Sequence, residues 1–224
     1  MTKISIPTHQ HPFELVLSRT ALLVIDMQID FCAYTGFCGA NLKADVTPIQ
    51  KMIPHLQQVI QWARQQGIWI IYTRESHQPD LADLPASKKQ RYINAGYPIG
   101  SMGNHGRFLI RGEAGTEILP ELAPMPADWQ LDKPARSAFV ETELAQGLRD
   151  RGIDYLLLTG VTTPCCVLGT YRQAGDLGFY PLLLEDCCAA LDPTEHAAAI
   201  AVLLAEQGAI GWVSSAATLI RSIS

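Results

Sequence analysis

The chain has 224 residues, of which 48% are hydrophobic and 17% charged, with a formal net charge of −5. That composition supports one packed domain over residues 1–224 and excludes a disordered chain. An acidic balance with no Lys/Arg run argues against nucleic acid or a membrane surface as partner. No apolar stretch has signal-peptide or membrane-spanning form, so a cytoplasmic protein is expected.

Residues 1–18 are polar and read as an arm. The continuous apolar run 21–25 fits a strand buried on both faces, and it ends at Asp26. Residues 46–66 place Ile49, Ile53, Leu56, Ile60 and Ala63 at helical spacing, with Gly67 as a stop. A second buried strand covers 68–73. The pattern dissolves over 74–111, where Pro79, Pro85, Pro98 and several glycines mark an insertion of the kind that serves as a lid or a contact. A short helix over 116–122, a weak strand over 129–132 leading to Lys133, and a helix over 141–151 follow. The run from Tyr155 to Gly160 is another strand, and a helix from Cys166 ends before Gly178. Then come a strand over 180–184, a helix from Pro193 to about Gln207 with Asp192 as N-cap, a strand over 209–213 and a last helical segment over 216–223. Solid apolar strands alternating with helices predict an α/β fold: a doubly wound, Rossmann-like, six-stranded parallel sheet with helices on both faces.

Sheets of this type bind ligands beyond the carboxyl ends of their strands. Asp26, Lys133 and Cys166 each follow such an end, so three reactive residues distant in sequence converge on one crevice. A carboxylate takes a thiol proton, and an ammonium stabilises the thiolate. Asp26 as base, Lys133 as cation and Cys166 as nucleophile form a set for attack on a carbonyl. The backbone N–H groups of Thr162 and Cys166, in the tight turn 161–166, are the candidate oxyanion hole. Each residue also has an ordinary structural reading: Asp26 as a cap or ion-pair partner, Lys133 as a surface lysine, and Cys165-Cys166 as a buried pair. Position in the turn alone barely separates Cys165 from Cys166. The six cysteines (Cys32, Cys38, Cys165, Cys166, Cys187, Cys188) have neither zinc-site spacing nor the setting of a disulfide framework, so free thiols are expected.

Three stretches carry a resemblance: residues 23–31 (LVIDMQIDF), 133–139 (KPARSAF) and 160–167 (GVTTPCCV). On these the chain resembles the isochorismatase-like cysteine hydrolases over about residues 20–215. The resemblance implies that family's hydrolase fold and an Asp–Lys–Cys triad matching Asp26, Lys133 and Cys166. Cys166 is selected over Cys165 because it is the cysteine followed by Val. A non-proline cis peptide between Val161 and Thr162 is also implied. Pro164 departs from the family, many of whose members have Asp there, and leaves the turn's hydrogen bonding open.

Residues 73–86, 111–113 and 184–188 look most like the ureide-cleaving members, biuret hydrolases foremost. The resemblance therefore implies a small-molecule ureide as partner, with biuret cleaved to allophanate and ammonia through a thioester. Triuret or ureidoacrylate is the alternative. Arg136 and Gln207 are the implied polar substrate contacts, with Phe31 or Phe37 as an aromatic wall. A homotetramer is implied, and no cofactor. A metal is not expected: Glu75 and His77 mimic two ligands of the metal-binding nicotinamidases, but Asp83 and His105 make poor third ligands, and His77 reads as a lid or subunit-contact residue. A non-catalytic binding protein, or an enol-ether hydrolase that does not need the cysteine, are the competing readings.

Overall fold

A computed structural model describes residues 3–223. The arm is more ordered than its polar sequence suggests. Strands β1 (Ile4–Ile6) and β2 (Phe13–Leu15) form an antiparallel hairpin whose Ile6, Phe13 and Leu15 are buried. Met1 and Thr2 of the predicted arm lie outside the described residues.

Six parallel strands form the sheet: β3 (Thr20–Ile25), β4 (Trp69–Glu75), β7 (Trp129–Lys133), β8 (Tyr155–Val161), β9 (Tyr180–Ala189) and β10 (Trp212–Ser214), in spatial order β10-β9-β8-β3-β4-β7. β5 (Met102–Gly103) and β6 (Gly106–Arg107) make a separate small hairpin. The chain moves outward from β3 in one direction through β4 and β7. It then returns to β8 and moves out the other way, so the switch point lies between β3 and β8.

Alternation along the strands sorts the core. Leu22, Val24, Ile70 and Leu157 face one layer, with α2 (Thr47–Gln65), α7 (Ala216–Arg221) and the arm hairpin. Ala21, Leu23, Ile71 and Leu158 face the other, with α4 (Leu144–Asp150), α5 (Leu168–Asp176) and α6 (Pro193–Leu204). α2 carries Pro54 in its interior, at a cost of about 3 kcal/mol. Its buried face, which includes Ile49, Met52, Ile53, Leu56, Val59 and Ile60, contributes roughly 1.5–3 kcal/mol for each large side chain, and burial wins. Asp192 caps α6 as expected, accepting from the Thr194 N–H. Among the described residues no helix is long and apolar enough to cross a membrane.

Several boundaries differ from expectation. The segment 116–122 is two 3-10 turns, Ala114–Thr116 and Pro120–Leu122, separated by residues that bridge to the loop after β3. Residues 163–167 form a π-type turn, so α5 begins at Leu168 rather than Cys166. α4 starts three residues later than its apolar pattern suggests. The insertion is partly ordered by α3 (Ala86–Asn94) and by an apolar cluster of Phe37, Ile99, Phe108, Leu109 and Ile110. α1 (Ile29–Cys32) is a single turn beneath it.

Gly160 matters most for the sheet near the switch point. Its φ is 107°, and a Cβ there would collide with the backbone of Ile25, including a 2.7 Å approach to its nitrogen. Replacing Gly160 by Ala is expected to cost about 3 kcal/mol or more, read as a lower urea midpoint at unchanged slope.

Candidate active site

Strand register assembles the site. β4 pairs with β7 so that Glu75 lies opposite Lys133, and β3 pairs with both β4 and β8 so that Asp26 emerges between Thr73 and Gly160. Asp26 turns out of β3 with φ of 51°. Its N–H donates to the Thr73 carbonyl (3.1 Å), and Thr73 Oγ1 donates back to Asp26 Oδ1 (2.6 Å). Gln28 clamps the next strand: its Nε2 donates to the Glu75 carbonyl (3.1 Å), and its Oε1 accepts from the Glu75 N–H (2.7 Å). That pair of hydrogen bonds explains the buried glutamine two residues after Asp26.

Lys133 is fully buried. Its Nζ lies 2.7 Å from Asp26 Oδ2 and 3.6 Å from Glu75 Oε2, and it donates to the Ala135 carbonyl (2.8 Å). Burial opposes its charge, but Asp26, the Cys166 sulfur and Glu75 more than reverse that and hold it well above the ordinary lysine value. The surface-lysine reading of Lys133 therefore fails.

The Val161–Thr162 peptide is cis, followed by the π-type turn that carries Cys165 and Cys166. Pro164 occupies the start of that turn, whose outer side is tied down by Thr163 Oγ1 against His196 Nδ1 (2.8 Å). Cys166 is buried, and its Sγ donates to Glu75 Oε2 at 3.2 Å. The sulfur and one oxygen each of Asp26 and Glu75 lie within 4.8 Å of one another. Contact with Cys165 and burial hold the Cys166 thiol well above its ordinary value, against the pull of Lys133. Burial likewise raises Asp26, and Glu75 adds to the rise, while Lys133 opposes it. For Glu75, burial is outweighed by the Lys133 and Lys88 ammoniums, which bring it down to about 2. All six cysteines are free.

The resting site is therefore a neutral thiol, a charged Glu75, a charged Lys133 and an Asp26 poised to take a proton. Of the two carboxylates, Asp26 is the better base, because proton transfer is most efficient when acceptor and donor are not far apart in acidity.

A cavity of about 320 Å³ opens onto Cys166. Thr162 and Cys166, whose N–H groups are the candidate oxyanion donors, both border it. Phe31 and Arg136 line it, as expected, together with Arg91 and Tyr92 of α3 and with Phe108. Two expected contacts are not on it. Phe37 is buried behind the wall, stacked on Phe108 with ring centroids 4.1 Å apart. Gln207 lies in a turn beyond the carboxyl end of α6, whose amino end is the part near the pocket. There Gln207 has φ of 57°, and its carbonyl meets His11 Nε2 of the arm at 3.2 Å. A second groove at the opposite end of the sheet, lined by the stacked Trp69 and Trp129 and by Gln146, Gly147 and Asp150 of α4, contains no cysteine, serine or threonine.

The pair weighed as metal ligands has another occupant. Lys88 of α3 reaches in so that its Nζ donates to Glu75 Oε1 (2.5 Å), His77 Nε2 (2.9 Å) and the Pro134 carbonyl (2.7 Å). His77 is fully buried and turns its Nδ1 to Asp83 (3.2 Å), while His105 pairs with Thr35. These side chains enclose an ammonium and do not fit a metal ion as well. Sequence reasoning missed Glu75 and Lys88 as neighbours of the thiol. Glu75 is the last residue of β4, which runs two residues past the strand end expected at residue 73, so the strand-end rule did not pick it out. Lys88 gave no signal.

The parallel sheet and the buried Asp–Lys–Cys cluster at its switch point are those of an α/β-fold enzyme. Residues 20–218 match the isochorismatase domain, and the chain belongs to that family. It is 29% identical over 227 residues to the ureidoacrylate amidohydrolase RutB of Stutzerimonas stutzeri (strain A1501), covering 99% of this chain and 89% of that protein. Among solved structures it is similar to a cysteine hydrolase from Pseudomonas syringae pv. phaseolicola 1448A, with a TM-score of 0.80, 25% identity and coverage of 99% and 98% of the two chains. It is also similar to N-carbamoylsarcosine amidase from Thermoplasma acidophilum, with a TM-score of 0.66, 26% identity and coverage of 88% and 96%.

Proposed function

We propose that the protein is a cysteine-dependent amidohydrolase that cleaves a C–N bond of a small ureido compound. The observation that carries this reading is the buried Cys166 thiol lining a cavity, backed by a buried Asp26–Lys133 pair 2.7 Å apart. Asp26 takes the thiol proton as Cys166 Sγ bonds to the ureido carbonyl carbon. The tetrahedral oxyanion faces the N–H groups of Thr162 and Cys166. Collapse breaks the C–N bond, and Asp26 returns the proton to the departing amine. Water, deprotonated by Asp26, then attacks the thioester carbonyl; the C–S bond breaks, and Asp26 returns the proton to the departing sulfur, restoring the Cys166 thiol.

Two guanidiniums, Arg91 and Arg136, border the cavity. They suit a ureido compound that also bears a carboxylate, since Arg pairs with carboxylates through two parallel hydrogen bonds. The similarity to the ureidoacrylate amidohydrolase supports the same substrate class. Neutral biuret is the second reading, favoured by the biuret-hydrolase-like sequence of residues 73–86. A cytoplasmic homotetramer remains part of the proposal.

Ammonia release from ureidoacrylate, biuret, triuret and nicotinamide separates these readings. Preference for ureidoacrylate supports the acid-binding pocket, preference for biuret moves the substrate and keeps the chemistry, and turnover of none of them overturns the ureide reading. Arg136→Ala is expected to raise KM for ureidoacrylate by about 10- to 100-fold, the worth of one charge-assisted contact, and to change KM for biuret much less.

A further inference from the structure

We infer that Lys88 is a positioning residue that couples the seating of the lid helix to the geometry of the catalytic thiol. The inference rests on the reading of Cys166 as nucleophile. α3 belongs to the insertion, and Lys88, Arg91, Tyr92 and Ala95 follow one another at spacings of three, one and three residues, so they share one face of the helix and its end. Arg91, Tyr92 and Ala95 form pocket wall. Lys88, one turn earlier, passes beneath that wall to the sheet, where it is 5% exposed.

Its three acceptors come from separate places: Glu75 at the end of β4, His77 just beyond it, and the Pro134 carbonyl next to Lys133. An ammonium has three protons, and all three are used. The Glu75 oxygen not held by Lys88 is the one that accepts from Cys166 Sγ. A continuous chain of contacts therefore runs from the wall helix through Lys88 and Glu75 to the reacting sulfur. If α3 withdraws, the ammonium leaves with it, and Glu75 is left buried with Lys133 as its remaining cation at 3.6 Å. The closed pocket wall and the ordered thiol are thus formed together, and a substrate that completes the wall also completes the site.

Charge gives the coupling a direction. Cys166 faces Glu75, Asp26, Lys133 and Cys165, with Tyr92 of α3 across the cavity and Arg136 beyond Cys165. Lys88 faces Glu75 and His77, with the Tyr92 ring 5.9 Å away, and Asp83 lies behind His77. Removing Lys88 leaves the Glu75 charge less compensated beside the sulfur, which disfavours the thiolate. Removing the Glu75 charge does the reverse.

The test is the pH profile of Cys166 alkylation by iodoacetamide, with the modified peptide identified by mass spectrometry, in wild type, Lys88→Met, Lys88→Arg and Glu75→Gln. Circular dichroism melts accompany it. Lys88→Met is expected to move the alkylation midpoint up by about one pH unit or more and to lower kcat/KM about 100-fold, the scale of a misplaced reacting group. Lys88→Arg recovers part of both, and Glu75→Gln moves the midpoint down. A lysine that only props the lid gives a changed alkylation rate with an unmoved midpoint, and that result overturns the inference. So does a midpoint that moves the same way in Lys88→Met and Glu75→Gln. Should wild type turn over no ureide, the substrate reading fails, while the alkylation midpoints still decide the role of Lys88.

Discussion

Replacing Cys166 by Ala is expected to lower ureide turnover by about ten-thousand-fold or more, since the thioester route needs the sulfur and the remaining groups supply only binding and oxyanion contacts. The variant should fold: Cys166 is buried, but only its sulfur is removed, and the φ of its turn before α5 suits any residue with a Cβ. Cys165→Ala serves as the control. Cys165 is half-buried and adjoins the same cavity, so a turnover loss confined to Cys166 identifies the nucleophile directly. An enol-ether hydrolase of this fold would keep its activity in Cys166→Ala, and a non-catalytic protein would have none to lose.

The second large effect is expected at the Asp26–Lys133 pair. Lys133→Met leaves a fully buried carboxylate without its nearest cation, a change that costs about 3–5 kcal/mol when one partner of a buried pair is lost. Activity should fall with stability, because the thiolate loses the ammonium that stabilises it. The pH dependence gives a sharper reading. Asp26 must be ionised to take a proton, and burial holds its carboxyl above the ordinary 3.8, so kcat/KM falls on the acid side at a pH above that value. Lys133 pulls Asp26 down, so in any Lys133→Met enzyme that remains folded the acid limb moves further up.

Stability follows the two carboxylates in opposite senses. Glu75 is depressed in the fold, from 4.5 to about 2, so its contribution is present above pH 4.5 and is lost as pH falls towards 2. Asp26 is raised, so its contribution is full below 3.8 and is lost as pH rises through its higher folded value. Urea melts of Glu75→Gln against wild type between pH 2 and 5 should show the wild-type loss and a flatter variant.

Most of the strands, and the convergence of Asp26, Lys133 and Cys166, were legible because those strands are apolar runs that stop at a polar residue; β7, with its mixed sequence, was the weak one. Asp26, Lys133 and the cysteine turn could be found by that rule alone, and the six-stranded parallel sheet followed from the alternation of runs and helices. What stayed hidden depends on register and on chain that crosses the site from elsewhere. Glu75 becomes a neighbour of Cys166 only because β4 and β7 pair it with Lys133. Lys88 arrives from a helix inside a segment whose prolines and glycines suggest irregular chain. Phe37 and Gln207 were assigned by resemblance without geometry. The first proved to be wall support, and the second lies past the far end of α6. Residues 1–18 read only as a polar arm because their apolar residues are scattered, yet Ile6, Phe13 and Leu15 are enough to seat a hairpin on the core.

The central claim is a covalent bond between substrate and Cys166. Acid quenching of the enzyme during turnover of ureidoacrylate or biuret, followed by peptide mass spectrometry, tests it most directly. The account predicts a mass gain equal to the acyl part of the substrate on the peptide that contains Cys166, absent from Cys166→Ala and removed by continued incubation. Turnover without any adduct on that peptide, undiminished in Cys166→Ala, would contradict it.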